Sequence, residues 1–144
     1  MRCWTGFALL TVTAVLFVVG CGNSGPLVPV EGVVKINGQP AGNLQVVFTQ
    51  AEAPQGKQRK AGTAVSDSSG RFVIKPHDGS PGLPPGKYKV AVVDNNLVVD
   101  EEPDPNKPPI PNRIPRMYSD VLSTPLDVEV VEGKTVYEVN VPIF

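Results

Sequence analysis

The sequence predicts an all-β protein, an antiparallel β-sandwich of about seven short strands preceded by a signal-peptide helix. Three observations carry this. From Val28 onward, apolar residues recur with period two or in short β-branched runs. Between the runs lie clusters of Gly, Pro, Asn and Asp, residues that set turns. The chain holds 14 Gly and 16 Pro among 144 residues, rich in turn chemistry yet short of a low-complexity composition. No helical stripe of useful length interrupts the pattern. This length allows one domain with a real core and leaves little room for a second.

The N-terminus reads as an address. Residues 1–21, MRCWTGFALLTVTAVLFVVGC, carry one charge, Arg2, and are almost wholly apolar from Trp4 to Val19. A short basic start, an apolar run and small residues at its end make a bacterial-type secretory signal. A membrane-spanning helix needs about 20 apolar residues with polar anchors on both flanks, and this run is shorter and ends in Gly-Cys-Gly. Val18-Val19-Gly20-Cys21 resembles the lipobox of bacterial lipoproteins, although that family prefers Leu where this chain has Val18. The resemblance implies that the signal is cut before Cys21, that its thiol receives a diacylglycerol, and that the new amine is acylated, palmitate being the usual label. Two or three acyl chains hold a protein stably on a membrane, whereas one does not. Cys3 leaves with the signal, so the mature domain is expected to contain neither free thiol nor disulfide. Gly22 stands where some bacteria use Asp to retain lipoproteins at the inner membrane, so both the cell membrane and the outer membrane are open destinations.

The strands follow in order. Val28 to Ile36 puts Val30, Gly32, Val34 and Ile36 on one face, and Asn37-Gly38 supplies the positive-φ residues of a tight turn. Leu44 to Gln50 aligns Leu44, Val46 and Phe48; AEAPQGKQRK then reads as a polar loop. Gly62 to Ser66 is turned by Asp67-Ser68-Ser69-Gly70 into Arg71 to Lys75, with Phe72 and Ile74 inward. After a Gly- and Pro-rich loop, Lys87 to Asp94 faces Tyr88, Val90 and Val92 inward. Residues 95–116 hold acidic residues and then Pro108, Pro109, Pro111 and Pro115. Proline cannot donate to a sheet ladder and stiffens extended chain, so a long crossing loop with polyproline character is expected. Leu126–Val131 and Thr135–Ile143 close the chain, with Tyr137, Val139, Val141 and Ile143 on one side.

The ordered set Val30-x-Gly32-x-Val34, Asn37-Gly38-Gln39-Pro40, Asp67-Ser68-Ser69-Gly70-Arg71-Phe72 and Pro85-Gly86-Lys87-Tyr88-Lys89-Val90 resembles the carboxypeptidase regulatory-like domain. The likeness covers about Val28 to Asp94 and implies a transthyretin-like (prealbumin-like) sandwich of Greek-key type. Pro115-Arg116-Met117-Tyr118 and Thr124-Pro125-Leu126 resemble a later block of small one-domain bacterial lipoproteins of the planctomycete type. The organisation expected is a lipoprotein signal peptide over residues 1–20, a lipidated N-terminus and spacer over 21–29, and the β-sandwich over 30–144 with its Pro-rich loop at 95–116. The resemblance implies a non-catalytic extracytoplasmic module.

Composition and motif content narrow the function. A net charge of −1 and the absence of interleaved basic and aromatic residues argue against nucleic-acid binding. Two Cys and one His cannot build a Cys/His zinc site. His77 lies in a loop with no nucleophile or orienting partner supplied by any motif. Asp100, Glu101, Glu102 and Asp104 lack the Gly and terminal Glu of an EF-hand and read as a solvated acidic loop. No cofactor, metal or catalysis is therefore expected. Lys57, Arg59 and Lys60 are set against anionic headgroups on one reading and against plain solvent on the other. Sandwich domains of surface adhesins join first and last strands by a Lys–Asn crosslink. Here Lys35 and Asn140 fall on the outward parity, where lysine keeps its charge. Tyr118 is the candidate contact for a sugar or a protein, weighed against burial beneath Met117, Val121 and Leu122. The expectation is a lipid-anchored envelope module with a structural or protein-interaction role, meeting the membrane through its anchor and an envelope protein or polysaccharide through its loops. The alternative is a carbohydrate-binding module. Trp4, the one Trp, leaves with the signal, so sugar platforms are scarce.

Overall fold

The computed structural model describes residues 26–97 and 104–144. Among these, nine strands form two sheets. In chain order they are β1 (Glu31–Ile36), β2 (Gln39–Pro40), β3 (Leu44–Gln50), β4 (Ala61–Val65), β5 (Arg71–Val73), β6 (Lys75–Pro76), β7 (Gly86–Asp94), β8 (Asp127–Val130) and β9 (Val136–Val141). Single-turn 3-10 helices lie at Asn95–Leu97 and Arg116–Tyr118. In the first sheet β1 pairs with β2, β5 and β9; the second runs β6-β4-β3-β7-β8 and is antiparallel throughout. The described residues are all-β, and their two sheets enclose one core.

Alternation explains the core. Each strand turns every second side chain inward, so Val34, Phe72, Tyr137 and Val139 of the first sheet meet Val46, Phe48, Tyr88 and Val90 of the second. Phe48 joins the layers: its ring centroid lies 6.1 Å from that of Phe72 and 6.3 Å from that of Tyr88. Each fully buried side chain of this size contributes about 1.5–3 kcal/mol. Tyr88 keeps its polar end satisfied by donating from its hydroxyl to the Pro84 carbonyl at 2.8 Å. Burial pushes its phenol up to about 12.

Local chemistry sets the turns. Asn37 and Gly38 have φ of 49° and 80°, the left-handed pair a two-residue type I′ hairpin needs, and they fold β2 back on β1. The same turn is clamped to β9, because the Ile143 N–H donates to Asn37 Oδ1 at 2.7 Å and the Gly38 N–H to Asn140 Oδ1 at 2.9 Å. Asp67 closes the tight turn between β4 and β5 by accepting the Ser69 and Arg71 N–H groups at 2.8 and 3.0 Å; β4 pairs with β3 and β5 with β1, so this turn carries the chain from the second sheet to the first.

The structure departs from the sequence reading in three places. First, the expectation of an antiparallel arrangement fails at the first and last strands: β1 and β9 run parallel, register Glu31 to Val136 through Ile36 to Val141. Period two assigns a strand's faces and says nothing of its direction. A parallel pair also needs a long crossover, and here nearly the whole chain supplies it. Second, the run Arg71–Lys75 divides at Ile74, so that β5 joins the first sheet and β6 the second. The Ile74 N–H donates to the Val30 carbonyl while its side chain packs over Gly62 of β4, carrying the chain across the core. Third, the short β2 and β6 raise the strand count above seven. The Pro-rich segment is described from Asp104 and carries no regular element before Arg116.

Candidate functional site

Val18, Val19, Gly20 and Cys21, the expected lipidation site, lie outside the described residues, as do Asp100, Glu101 and Glu102. The folded body is already engaged at Val28, which is buried and exchanges both backbone hydrogen bonds with Leu83 at 2.8 Å. Part of the expected spacer thus belongs to the domain.

Tyr118, expected as a candidate ligand or partner contact, is 3% exposed and belongs to the core. Its ring is closed to a sugar face or a protein surface, and that reading is corrected. The cover differs from the one weighed in the sequence. Met117 and Leu122 are exposed, the latter 87%, and the 3-10 turn holding Tyr118 rests against β7. Thr124 fastens the following segment to the same strand, its hydroxyl donating to the Val90 carbonyl at 2.7 Å.

The most strongly held polar group is one the motif search passed over. Asp94 ends β7 with its carboxylate wholly buried, and Arg113 meets it as a fork: Nε to Oδ2 at 2.9 Å and Nη2 to Oδ1 at 2.6 Å. The Arg113 backbone N–H donates to Oδ2 at 3.2 Å, and its guanidinium also reaches the Gly42 carbonyl. Bidentate charge-assisted bonds are the strong kind. They hold the Asp94 carboxyl below the usual carboxylate range and raise the guanidinium further. The pair ties the Pro-rich segment to the β3–β7 end of the second sheet and seats Ile114 in the core beside it. A signal existed. Asp94 continues the inward parity of Tyr88, Val90 and Val92, and an acid at an inward position demands a buried cation.

His77 is exposed; its backbone N–H donates to the Ala61 carbonyl. Asp104 is exposed and accepts the Asn106 N–H. Among the described residues no three of His, Cys, Asp and Glu gather as a metal site, and no helix is long and apolar enough to cross a membrane. Lys35 and Asn140 are register partners on the outer face of β1 and β9. Lys35 Nζ pairs with Glu138 Oε2 at 2.7 Å, and the Asn140 carbonyl oxygen is taken by Gly38.

Two surface features remain. A groove of about 940 Å3 runs along the edge where β4 and β5, from different sheets, come together. Val65, Val73 and Val136 are more than half exposed there, rimmed by Glu31, Arg71 and Lys75. The other feature is the end of the fold that carries Val28, where the loops 51–60 and 77–85 come together. Lys60 Nζ pairs with Asp78 Oδ2 at 2.6 Å, holding the Asp78 carboxyl well below its ordinary range.

No family model, curated protein or solved structure matches this chain.

What the arrangement offers chemically is contact. An exposed apolar floor with a charged rim is the kind of patch that marks interaction surfaces.

Proposed function

We propose that this protein is a non-catalytic, lipid-anchored module of the cell envelope, held outside the cytoplasm by acylated Cys21 and serving a structural or protein-interaction role. The observation that carries the reading is the run Val18-Val19-Gly20-Cys21, whose cysteine lies seven positions ahead of Val28, a residue held in the fold by its bridge to Leu83. An acylated cysteine so close to a β domain needs no further membrane element. The fold reading that accompanies it is a Greek-key sandwich of the transthyretin-like class. It is supported by the way the resembling blocks fall on turns and strands: Asn37-Gly38 on the β1–β2 turn, Asp67 to Gly70 on the turn between β4 and β5, and Gly86 to Val90 at the start of β7. The apolar groove at Val65, Val73 and Val136 is the face offered to an envelope protein.

Metabolic labelling with palmitate tests the anchor. Label on the wild-type protein, lost together with membrane association in Cys21→Ser, is the expected result; label that persists in Cys21→Ser sinks the proposal. A photo-crosslinker in place of Val73 tests the role in intact cells. A recurring envelope protein captured there, and missed by the same probe at Ser68, supports the interaction arm; attached polysaccharide without protein favours the carbohydrate-binding alternative.

A further inference from the structure

The end of the molecule at which Val28 enters the fold is tied together by a series of contacts. Val28, the first strongly held residue, pairs with Leu83, and Gly82 packs directly against the Val28 backbone. Ser80 donates its hydroxyl proton to Asp78 Oδ1 at 2.6 Å, and its oxygen lies 3.0 Å from the Gly82 carbonyl. Asp78 in turn holds Lys60. An unbroken chain of contacts thus leads from the point where the N-terminal segment joins the fold to the basic loop 51–60. In that loop Lys57, Arg59 and Lys60 are exposed. Asp78 neutralises Lys60, and among the described residues Lys57 and Arg59 have no ion pair. The other charges at this end include Glu52 in the same loop, with Glu31, Lys75, Glu132 and Lys134 on the strands and turn behind it.

Resting on the proposed acylation of Cys21, we infer that this end docks on the anionic headgroups of the membrane that holds the anchor, with Lys57 and Arg59 as the contacting cations. Cys21 lies seven positions before Val28, a stretch that spans at most about 25 Å when fully extended. That tether is short enough for the loop to come within a Debye length of the surface, about 8 Å at physiological salt. Lys57 and Arg59, set against Glu52 in the same loop, leave one net positive charge there, which biases the orientation by roughly fivefold. That is weak for a protein binding from solution, yet sufficient for one already confined to the surface. The opposite end, carrying the Asn37-Gly38 turn and the Asp67–Gly70 turn, stands about 30 Å farther out, the length of a nine-residue strand.

The test uses the full lipid-bearing protein, purified from membranes and placed in vesicles of phosphatidylcholine with or without 30% phosphatidylglycerol. Spin labels are attached at Gln58→Cys or Ser68→Cys, and their relaxation by a nickel-chelating headgroup lipid is measured. The expected result is at least threefold stronger relaxation at 58 than at 68 in the anionic vesicles, falling toward the phosphatidylcholine value when Lys57→Glu and Arg59→Glu are combined with the label. Equal relaxation at the two sites, or a signal at 58 that ignores both phosphatidylglycerol and the charge reversal, overturns the docking. The intact mass of the same preparation separates the two claims. An acylated Cys21 with a negative label result overturns docking alone, whereas a mass without lipid removes the anchor and the docking together.

Discussion

Arg113 is the residue whose loss should be felt most. Replaced by Met, it would leave the Asp94 carboxylate buried with only the backbone N–H groups of Asn96 and residue 113 for company. Removing one partner of a buried pair strands the other charge and costs 3–5 kcal/mol. Because the guanidinium is itself one-third exposed, the low end applies, so urea denaturation of Arg113→Met at pH 7 should show a loss of about 3 kcal/mol. The pH dependence has a definite sign. The folded Asp94 carboxyl titrates below its unfolded value, which lies near 4. The stabilisation is therefore complete above that pH and is lost as pH falls below it. The gap between wild type and Arg113→Met should be widest at neutral pH and narrow progressively below pH 4. A gap that stays constant from pH 7 to pH 3 would show that the guanidinium contributes packing and not charge.

At the scale of the element, the parallel junction of β1 and β9 makes the sharpest claim. Gly32 lies opposite Tyr137 in register and also opposite Phe72 on its other partner. A Cβ at position 32 would stand 2.0 Å from the Tyr137 carbonyl oxygen and 2.9 Å from Phe72 Cζ. Gly32→Ala must push the strands apart and should cost about 3 kcal/mol or more, at the upper limit of ordinary overpacking. Gly38→Ala is the control. Nothing lies within 4 Å of its Cβ, and only the left-handed backbone opposes it, at about 1–2 kcal/mol. Denaturant midpoints of the two variants, with amide exchange along β9, measure the difference; faster exchange at Val139 and Val141 is expected for Gly32→Ala alone. Each of these elements was legible in the sequence to a different depth. The inward faces of Val34, Val46, Phe72, Val90 and Tyr137 follow from alternation, and the Asn37-Gly38 turn from side-chain chemistry, because both are local. Strand direction at β9, the change of sheet at Ile74 and the partner of Asp94 depend on residues far apart in the chain, and a period of two carries none of that. Tyr118 shows the same limit: its neighbours Met117 and Leu122 are apolar and exposed, while the strand that covers its ring lies about thirty positions earlier. The likeness of residues 18–21 to a lipobox is a sequence pattern alone.

On the scale of the whole molecule, the question is whether two sheets with separate hydrogen-bond ladders behave as one cooperative body. The core says that they do. Phe48 at the centre of the second sheet is fully buried and touches Phe72 of the first, and the β4–β5 and β5–β6 connections cross between the layers on either side of it. The Arg113–Asp94 pair and the Asn37 clamp on β9 then tie the long loop and the last strand to the same body. Cutting Phe48 back to Ala should cost about 3–5 kcal/mol, a large share of the 5–15 kcal/mol that holds a domain together. The melting temperature should fall by about 15 °C or more. Cooperativity predicts the form of the transition as well as its position. The far-ultraviolet signal reports both ladders, while the tyrosine signal reports Tyr88 and Tyr118, packed with the second sheet, and Tyr137, in the first. In wild type and in Phe48→Ala the two signals should disappear at one temperature, as expected of a two-state domain. Two separated transitions in the variant would mean that Phe48 is the only coupling between the sheets. Two transitions already present in the wild type would mean that the shared core does not make them one cooperative unit.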